Sequence, residues 1–141
     1  LKKKILHDKV SILGICLGMQ LLCKESTEHE KKSGLNIFDI DVKKLSKKIN
    51  TNKFKLPHIG WNSVKIKKKS ILFDGIKNES DFYFDHSYGI LDLEKDVDCV
   101  TNHEIDFASA ISYKNVFGVQ FHPEKSLDDG KILLKNFITK I

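Results

Sequence analysis

The pattern of apolar and polar positions predicts a strand, a tight turn and a helix near the start of the chain. Residues 10–15 are mostly apolar and run into a glycine-flanked cysteine, which is typical of a buried parallel strand that ends in a turn. Residues 17–23 then place apolar side chains at helical spacing, and we expect this helical stretch to stop at Ser33 and Gly34, after a charged segment. A strand that leads directly into a helix favours the α/β class of fold.

The middle of the chain is richer in β-type segments, and its end is helical. Short apolar or alternating segments predict strands at residues 35–42, 61–66, 81–88, 97–101, 107–113 and 116–121. Residues 129–141 place apolar side chains at spacings of three and four, which predicts an amphipathic closing helix. No internal repeat or long linker interrupts this pattern, so we expect a single domain over residues 1–141.

The size and the cysteine content limit the class of protein. With 141 residues, 40% of them hydrophobic, the chain can bury one sizeable core and is too short for two ordinary domains. Its apolar runs fall short of the roughly 20 residues that span a bilayer, so the sequence predicts neither a signal peptide nor a membrane anchor. Cys16, Cys23 and Cys99 are an odd number without metal-ligand spacing, which argues against a disulfide framework or a zinc site. We therefore expect a reducing cytoplasm and no metal or other cofactor.

The positive charge of the chain does not by itself indicate a nucleic-acid partner. The formal charge is +5 and the pI is near 9.0, which would permit one. However, all 24 basic residues are lysines, so the forked guanidinium that contacts phosphate and guanine in pairs of hydrogen bonds is absent. The lysine runs at residues 2–4 and 67–69 are then solvated ends and loops, and neither a nucleic acid nor a membrane is an expected partner.

The first segment that could carry chemistry is the pentapeptide from Gly14 to Gly18, with Cys16 at its centre. It is the cysteine version of a nucleophile elbow, in which glycines flank a nucleophile held at a sharp strand-to-helix turn because side chains there would meet neighbouring backbone. The N-terminus of a helix also favours the reactive thiolate over the thiol. The pentapeptide alone is equally compatible with a buried structural cysteine.

A second segment, residues 120–124, changes this balance because it supplies a base and a carboxylate two residues apart. It follows an apolar strand, and period-two geometry can direct His122 and Glu124 to one face. A neutral imidazole could take the thiol proton and return it to a leaving amine, while the carboxylate fixes the tautomer. By itself this segment would be an ordinary surface turn; together with the elbow it indicates an active site.

The remaining cysteines and histidines have no such surroundings in the sequence. Cys23 lies among leucines beyond the elbow and Cys99 lies in a strand-like segment, so we expect both in the core. Four histidines have no spacing that resembles a metal site and are expected to be structural or solvated, with His58 the least certain. They are His7, His29, His58 and His103.

Residues 14–20 and 120–124 together resemble the class I, or triad, glutamine amidotransferases. Within that family, Met19, the continuation to Ser126 and the blocks at 57–62 and 83–88 resemble the glutaminase subunits of imidazole glycerol phosphate synthase. The similarity runs from residue 10 to residue 137. It implies a three-layer α/β fold of the flavodoxin-like or Rossmann-like kind with a mixed sheet.

The resemblance also implies a role for individual residues. Cys16 would be the nucleophile, His122 the general acid and base, and Glu124 the group that orients the imidazole. The N–H of Leu17 would be one oxyanion donor. Further positions are implied for the glutamine substrate (Gln20, Ser87 and Tyr88) and for the synthase interface (Trp61, Asn62 and Lys125).

The implied activity is hydrolysis of glutamine through a cysteine thioester. The ammonia would pass, within a heterodimer, to a (β/α)₈-barrel cyclase that makes imidazole glycerol phosphate in histidine biosynthesis. Two alternatives stay open: the same chemistry could serve amination of a surface-polysaccharide sugar, or the chain could be a non-catalytic remnant that only binds a partner. Gene neighbours distinguish the acceptors, and a glutamine-analogue electrophile that labels Cys16 would identify an active centre.

Two departures from the family pattern accompany the resemblance. The family has a strand, a helix and a proline-glycine loop, a unit of about 30 residues, before the elbow strand. We expect that unit to be missing, and with it an oxyanion donor typically worth about 10²- to 10³-fold in rate, so the 141 residues alone should be weakly active or inactive. Asp85 and Gly89 stand where the family usually has an apolar and a larger side chain, which makes coupling to the partner less certain than the triad.

Overall fold

The computed structural model describes residues 2–7, 10–28, 30–45 and 55–141. The helices are α1 (Lys2–His7), α2 (Leu17–Leu22) and α3 (Leu127–Lys140). The strands are β1 (Ile12–Ile15), β2 (Glu25–Ser26), β3 (Lys32–Ser33), β4 (Asp41–Lys44), β5 (His58–Ile66), β6 (Ser80–His86), β7 (Tyr88–Ile90), β8 (Val97–Asn102), β9 (Asp106–Tyr113) and β10 (Val116–Val119). Short 3₁₀ turns lie at Ile71–Phe73 and Pro123–Lys125. No helix in the described ranges is long and apolar enough to cross a membrane.

The described strands form one mixed sheet. Its main path runs β3-β2-β4-β7-β9-β8-β5-β6, with β10 beside β9 and β1 beside β10. Most neighbours are antiparallel, but β2 and β4 are parallel, and so are β1 and β10, with Ile15 opposite Val119. The carboxyl ends of these two strands therefore meet at the same edge of the sheet.

Helices cover both faces of this sheet. Adjacent residues of β10 point to opposite faces, because Val116 packs in one apolar cluster and Phe117 in the other. The cluster around Phe117 includes Leu133 of α3, whereas the cluster around Val116 includes Ile5 of α1 and Met19 of α2. The helix–sheet–helix arrangement confirms the predicted three-layer α/β fold with a mixed sheet.

The helical stretch expected to stop at Ser33 and Gly34 is much shorter than predicted. α2 ends at Leu22, and Cys23 is extended, because returning chain takes the hydrogen bonds that a longer helix would need. The N–H groups of residues 35, 36 and 37 donate to the carbonyls of residues 21, 23 and 22 at 2.8 to 3.0 Å. The same contacts keep residues 35–40 out of the sheet, so the strand predicted at 35–42 begins only at Asp41.

Other boundaries differ by a few residues. The segment 81–88 forms two strands, since β6 pairs with β5 while β7 pairs with β4 and β9. The strand predicted at 116–121 ends at Val119, and the closing helix begins at Leu127 rather than at residue 129. The lysine run at 67–69 is exposed after β5, as predicted, whereas the exposed run at 2–4 lies in α1.

The start of α3 is pressed against the 3₁₀ turn Pro123–Lys125. A Cβ atom placed on Gly130 would lie 2.0 Å from the carbonyl oxygen of Pro123, a distance at which backbone must move. The N–H of Gly130 also donates to the carbonyl of Ser126 at 2.9 Å. Only glycine allows this close approach, and the approach sets the position of the chain that follows His122.

We predict that Gly130→Ala lowers the free energy of unfolding by about 2 kcal/mol or more, because overpacking against rigid backbone outweighs the helix propensity gained. Urea titration followed by circular dichroism measures the change. Gly18→Ala is the matched control: its Cβ would meet nothing within 4 Å in α2. Equal stability of Gly130→Ala and wild type would contradict the close approach of α3 to the turn.

Candidate active site

Cys16 occupies a strained turn between β1 and α2. Its backbone has φ 50° and ψ −107°, a left-handed conformation that is uncommon for a residue with a side chain. The turn is held by the Cys16 N–H, which donates to the Val119 carbonyl at 2.8 Å. A Cβ on Gly14 would lie 2.7 Å from the backbone of Gly18, so glycine is required at position 14. The same steric requirement predicted for Gly18 is wrong, because a Cβ there would be free of contacts.

The thiol of Cys16 is half-buried among polar groups. It donates to the carbonyl oxygen of Asp85 at 3.7 Å and accepts a hydrogen bond from the Gln120 amide at 3.6 Å. Burial raises the pKa of the thiol, and the Asp85 and Glu124 carboxylates raise it further, while the Leu17 N–H and the Gln120 amide lower it. The net pKa is raised, so burial outweighs the thiolate stabilisation expected from the helix N-terminus. A base is therefore needed to generate the nucleophile.

His122 and Glu124 form a hydrogen-bonded pair at the same edge of the sheet. The Nδ1 of His122 lies 2.5 Å from Oε1 of Glu124, which leaves Nε2 as the nitrogen that can exchange a proton. The pair meets because Glu124 lies in the 3₁₀ turn after β10, and not through the strand alternation that the sequence suggested. The main chain of His122 is anchored by the Tyr83 carbonyl at 2.8 Å and by the buried hydroxyl of Ser126 at 2.6 Å.

The parallel pairing of β1 and β10 brings the thiol and the imidazole to one edge. Cys16 follows Ile15, and Gln120 follows Val119, directly opposite. In the described part of the chain, the sulfur has hydrogen bonds with Asp85, Gln120 and the Leu17 N–H, and none joins it to His122. Proton transfer thus requires the thiol proton to turn from the Asp85 carbonyl toward the ring, which is common for catalytic pairs without substrate.

The residues that the resemblance assigns to glutamine binding lie beside the elbow. Gln20 is buried, and its Nε2 donates to the Tyr88 carbonyl at 2.9 Å and to Oε1 of Gln120 at 3.1 Å. Ser87 lies between β6 and β7, with its carbonyl bonded to the Leu45 N–H at 3.1 Å. The structure therefore brings residues 16–20, 85–88 and 120–124 together.

A cleft of about 480 Å³ opens next to α2. Its lining combines apolar side chains with one carboxylate and one ammonium group. The lining residues are Leu17, Gln20, Leu21, Ser26, Glu28, Lys32, Ser33 and Gly34. Sequence reasoning missed Glu28 and Lys32, because it assigned their segment to the outer part of a helix. Opposite charges at one small cleft suit a zwitterionic amino acid.

Two of the positions expected at a partner interface, Trp61 and Lys125, lie around the ring of Tyr83. Trp61 is 49% exposed and packs edge-on against the Tyr83 ring at 6.0 Å, while Lys125 Nζ lies 5.4 Å from the ring centroid. The third position, Asn62, follows Trp61 on the same strand and faces the opposite side, where its Nδ2 contacts His58 Nε2 at 3.1 Å and donates to the Asn102 carbonyl at 2.9 Å. These residues adjoin the catalytic edge, because the Tyr83 carbonyl binds the main chain of His122.

His58 is structural, and it belongs to a cluster that the sequence did not indicate. It stacks on His103 at 4.0 Å and lies in hydrogen-bond contact with His86 at 3.0 Å. Burial lowers the pKa of His58 to about 3 and that of His86 to about 4, so both rings are neutral. His7 is exposed, and His29 lies outside the described residues. Within the described ranges, no group of three or more His, Cys, Asp or Glu is arranged to hold a metal.

Cys23 and Cys99 are core residues, as predicted. Neither side chain is exposed, and burial raises the pKa of Cys23 to about 12 and the pKa of Cys99 further still. Cys16 is the exception among the free cysteines, because it alone is half-buried at the edge of the sheet.

Gly89, which stands where the family usually has a larger side chain, is buried. A Cβ there would lie 3.3 Å from the side chain of Leu45, so local packing favours a small residue.

Comparison with known proteins shows the family of this chain. The sequence profile of the family "Glutamine amidotransferase class-I" matches residues 1–141. Imidazole glycerol phosphate synthase subunit HisH of Pyrococcus furiosus is 52% identical over 94% of this chain and 66% of its own length. The same subunit of Methanocaldococcus jannaschii is 49% identical over 96% and 66%, and that of Buchnera aphidicola is 46% identical over 97% and 69%. The chain thus spans about two thirds of the length of these relatives, slightly less for the first two.

Solved structures are similar in fold. A glutamine amidotransferase from Thermotoga maritima superposes with a TM-score of 0.61 at 22% identity, covering 99% of this chain and 51% of that one. A second glutamine amidotransferase structure gives a TM-score of 0.66 at 14% identity, over 98% and 66% of the two chains. With the match of the family profile over the full chain and close relatives at about half identity, this chain belongs to the class I glutamine amidotransferase family.

Proposed function

We propose that this chain carries a glutaminase centre in which Cys16 attacks glutamine, His122 moves the proton and Glu124 orients the imidazole. The observation that supports it most is the position of a strained-elbow cysteine and a His–Glu pair after two parallel, hydrogen-bonded strands. The names of the HisH relatives, at 46 to 52% identity, support the same conclusion. Relatives with this name also favour the histidine pathway over amination of a polysaccharide sugar.

The first half of the reaction forms a thioester. His122 Nε2 accepts the thiol proton, and the sulfur attacks the side-chain carbonyl carbon of glutamine. The carbonyl oxygen becomes negative, and the Leu17 N–H, already directed at the sulfur, is placed to donate to it. Glu124 stabilises the imidazolium that forms, since it holds the proton on Nδ1. The imidazolium then protonates the leaving amine, which departs as ammonia.

The second half regenerates the thiol. Water gives a proton to His122 Nε2 and attacks the thioester carbon, and the imidazolium returns that proton to the departing sulfur. Glutamate is released last. Because the thiol is neutral at rest, no buried anion has to be stabilised between turnovers, which fits the raised pKa of Cys16.

The cleft beside α2 is the site that we assign to the amino-acid end of glutamine. Glu28 would bind the α-ammonium group and Lys32 the α-carboxylate, while Gln20, Ser87 and Tyr88 lie toward the side chain of the substrate. This arrangement would bring the carboxamide to Cys16, because Leu17 and Gln20 line the cleft and flank the nucleophile. Selectivity for a free amino acid follows from the pair of opposite charges.

The exposed surface around Tyr83 is the position that we assign to a synthase subunit. Trp61, Asn62 and Lys125 would contact a (β/α)₈-barrel cyclase, which uses the ammonia to make imidazole glycerol phosphate in histidine biosynthesis. A covering partner also prevents released ammonia from being protonated in bulk water.

We assign the protein to the cytoplasm. Its three cysteines are free thiols, which a reducing compartment keeps from forming disulfides.

Cys16→Ala, in the intact protein with its synthase, should abolish glutamine-dependent synthesis, a loss of at least about 10⁴-fold, because no nucleophile remains. Synthesis from added ammonium salt should be unchanged, since the acceptor site is elsewhere. Both rates can be followed by product formation. Labelling of Cys16 by a glutamine-analogue electrophile tests the same centre. If the wild-type protein is not labelled, the non-catalytic alternative is favoured.

Glu124→Gln should lower kcat for glutamine hydrolysis by about 10²- to 10⁴-fold, since an amide neither fixes the tautomer of His122 nor stabilises the imidazolium. Coupled glutamate detection measures the rate. Asp128→Asn is the control, because that carboxylate is 89% exposed and its ion pair is with Lys131, on the same helix. Wild-type kcat in Glu124→Gln would remove Glu124 from the mechanism.

Glu28→Gln should raise KM for glutamine by about tenfold to a hundredfold with a smaller effect on kcat, because one charge-assisted contact to the ammonium group is lost. Steady-state kinetics separates the two constants. Glu30→Gln serves as the matched variant: it neutralises an exposed carboxylate two residues away that does not line the cleft. If both variants bind glutamine equally well, the cleft is not the substrate site.

A further inference from the structure

Gln120 is a buried polar residue in contact with the nucleophile that the catalytic roles above do not include. It follows β10, and its side chain is fully buried. Its amide Nε2 lies 3.6 Å from the Cys16 sulfur, and its Oε1 accepts from Gln20 Nε2 at 3.1 Å. A buried amide with both ends bonded is held in one orientation.

The hydrogen-bond network determines which end of this amide faces the sulfur. The Tyr88 carbonyl can only accept, so the Gln20 atom at 2.9 Å from it must be the nitrogen. That nitrogen also contacts Gln120 at 3.1 Å, and the atom it meets there must therefore be an oxygen. The remaining end of Gln120, which faces Cys16, is then the N–H donor.

The Tyr88 carbonyl is itself fixed from a second side. His86 Nδ1 donates to it at 2.8 Å, so the Nε2 of this neutral ring is an acceptor for His58 Nδ1 at 3.0 Å. His58 Nε2 accepts in turn from Asn62 at 3.1 Å. Each tautomer follows from the one before it, so this buried path has a single consistent set of donors and acceptors.

We propose that Gln120 is a positioning residue for the nucleophile: its amide N–H, aimed by Gln20 and the Tyr88 carbonyl, orients the Cys16 sulfur and stabilises the thiolate formed during attack. The proposal rests on the proposed function in that Cys16 is the nucleophile. It extends that function, because the Gln120 amide becomes a second N–H donor to the sulfur, beside the backbone N–H of Leu17.

The charges around Cys16 explain why such a donor matters. The carboxylates of Asp85 and Glu124 both raise the pKa of the thiol, as does burial. The Gln120 amide acts in the opposite direction and adds no net charge. A neutral donor can therefore assist ionisation without forming an ion pair that would hold the sulfur as a resting thiolate.

The test measures the pH dependence of Cys16 alkylation by iodoacetamide in the intact protein, with the Cys16 peptide quantified by mass spectrometry. Gln120→Met keeps the side-chain length without a donor, and should move the midpoint of the alkylation profile up by about one pH unit. Gln120→Glu, with a carboxylate toward the sulfur, should move it further. The expected order of midpoints is wild type, then Met, then Glu.

Thr101→Val is the control, because it also alters a buried polar side chain, one whose hydroxyl has no hydrogen-bond partner among the described residues. Its profile should match that of the wild type. Superimposable profiles for wild type and both Gln120 variants would overturn the proposal; if circular dichroism shows that Gln120→Met is unfolded, the midpoint of Gln120→Glu decides. Alkylation needs no glutamine, so the order of midpoints stands even if the wild type fails to hydrolyse glutamine, which would refute only the proposed function.

Discussion

The parallel pairing of β1 with β10 is the constraint on which the rest of the structure depends. It places the residue after Ile15 beside the residue after Val119, so a cysteine and the segment from Gln120 to Glu124 leave the sheet side by side. A Cβ on Gly118 would lie 2.7 Å from Met19, so α2 packs on β10 as closely as a glycine permits. The geometry of the site thus follows from strand pairing and helix packing together.

The polar interior of this edge is organised around hydrogen-bond direction more than around charge. His58 and His86 are buried and neutral, the Gln120 amide is bonded at both ends, and Gln20 Nε2 donates to both Gln120 and the Tyr88 carbonyl. Networks whose members are all satisfied tolerate burial, because little desolvation cost is left uncompensated. The Cys16 thiol lies at the same edge, and two N–H donors offset part of the effect of burial on its pKa.

The features that could be predicted from the sequence were those set by local residues. Gly14 before Cys16 and the neighbouring pair His122 and Glu124 are short motifs whose chemistry follows from residue type and spacing. The end of α2 could not be predicted, because it depends on hydrogen bonds from residues 35–37, distant in sequence. Glu28 was missed for the same reason, since its place beside the elbow exists only once the helix stops. The donor role of Gln120 depends on a carbonyl 32 positions away, which no local pattern indicates.

Ser126 connects the backbone of the exposed surface at Tyr83 to the backbone of the catalytic edge at His122. Its buried hydroxyl accepts from the Tyr83 N–H at 3.0 Å and donates to the His122 carbonyl at 2.6 Å, while the Tyr83 carbonyl accepts from the His122 N–H. The backbone of Tyr83 is thereby clamped to that of His122 from both sides. A partner that shifts the main chain of Tyr83 would therefore also shift the main chain that carries the imidazole.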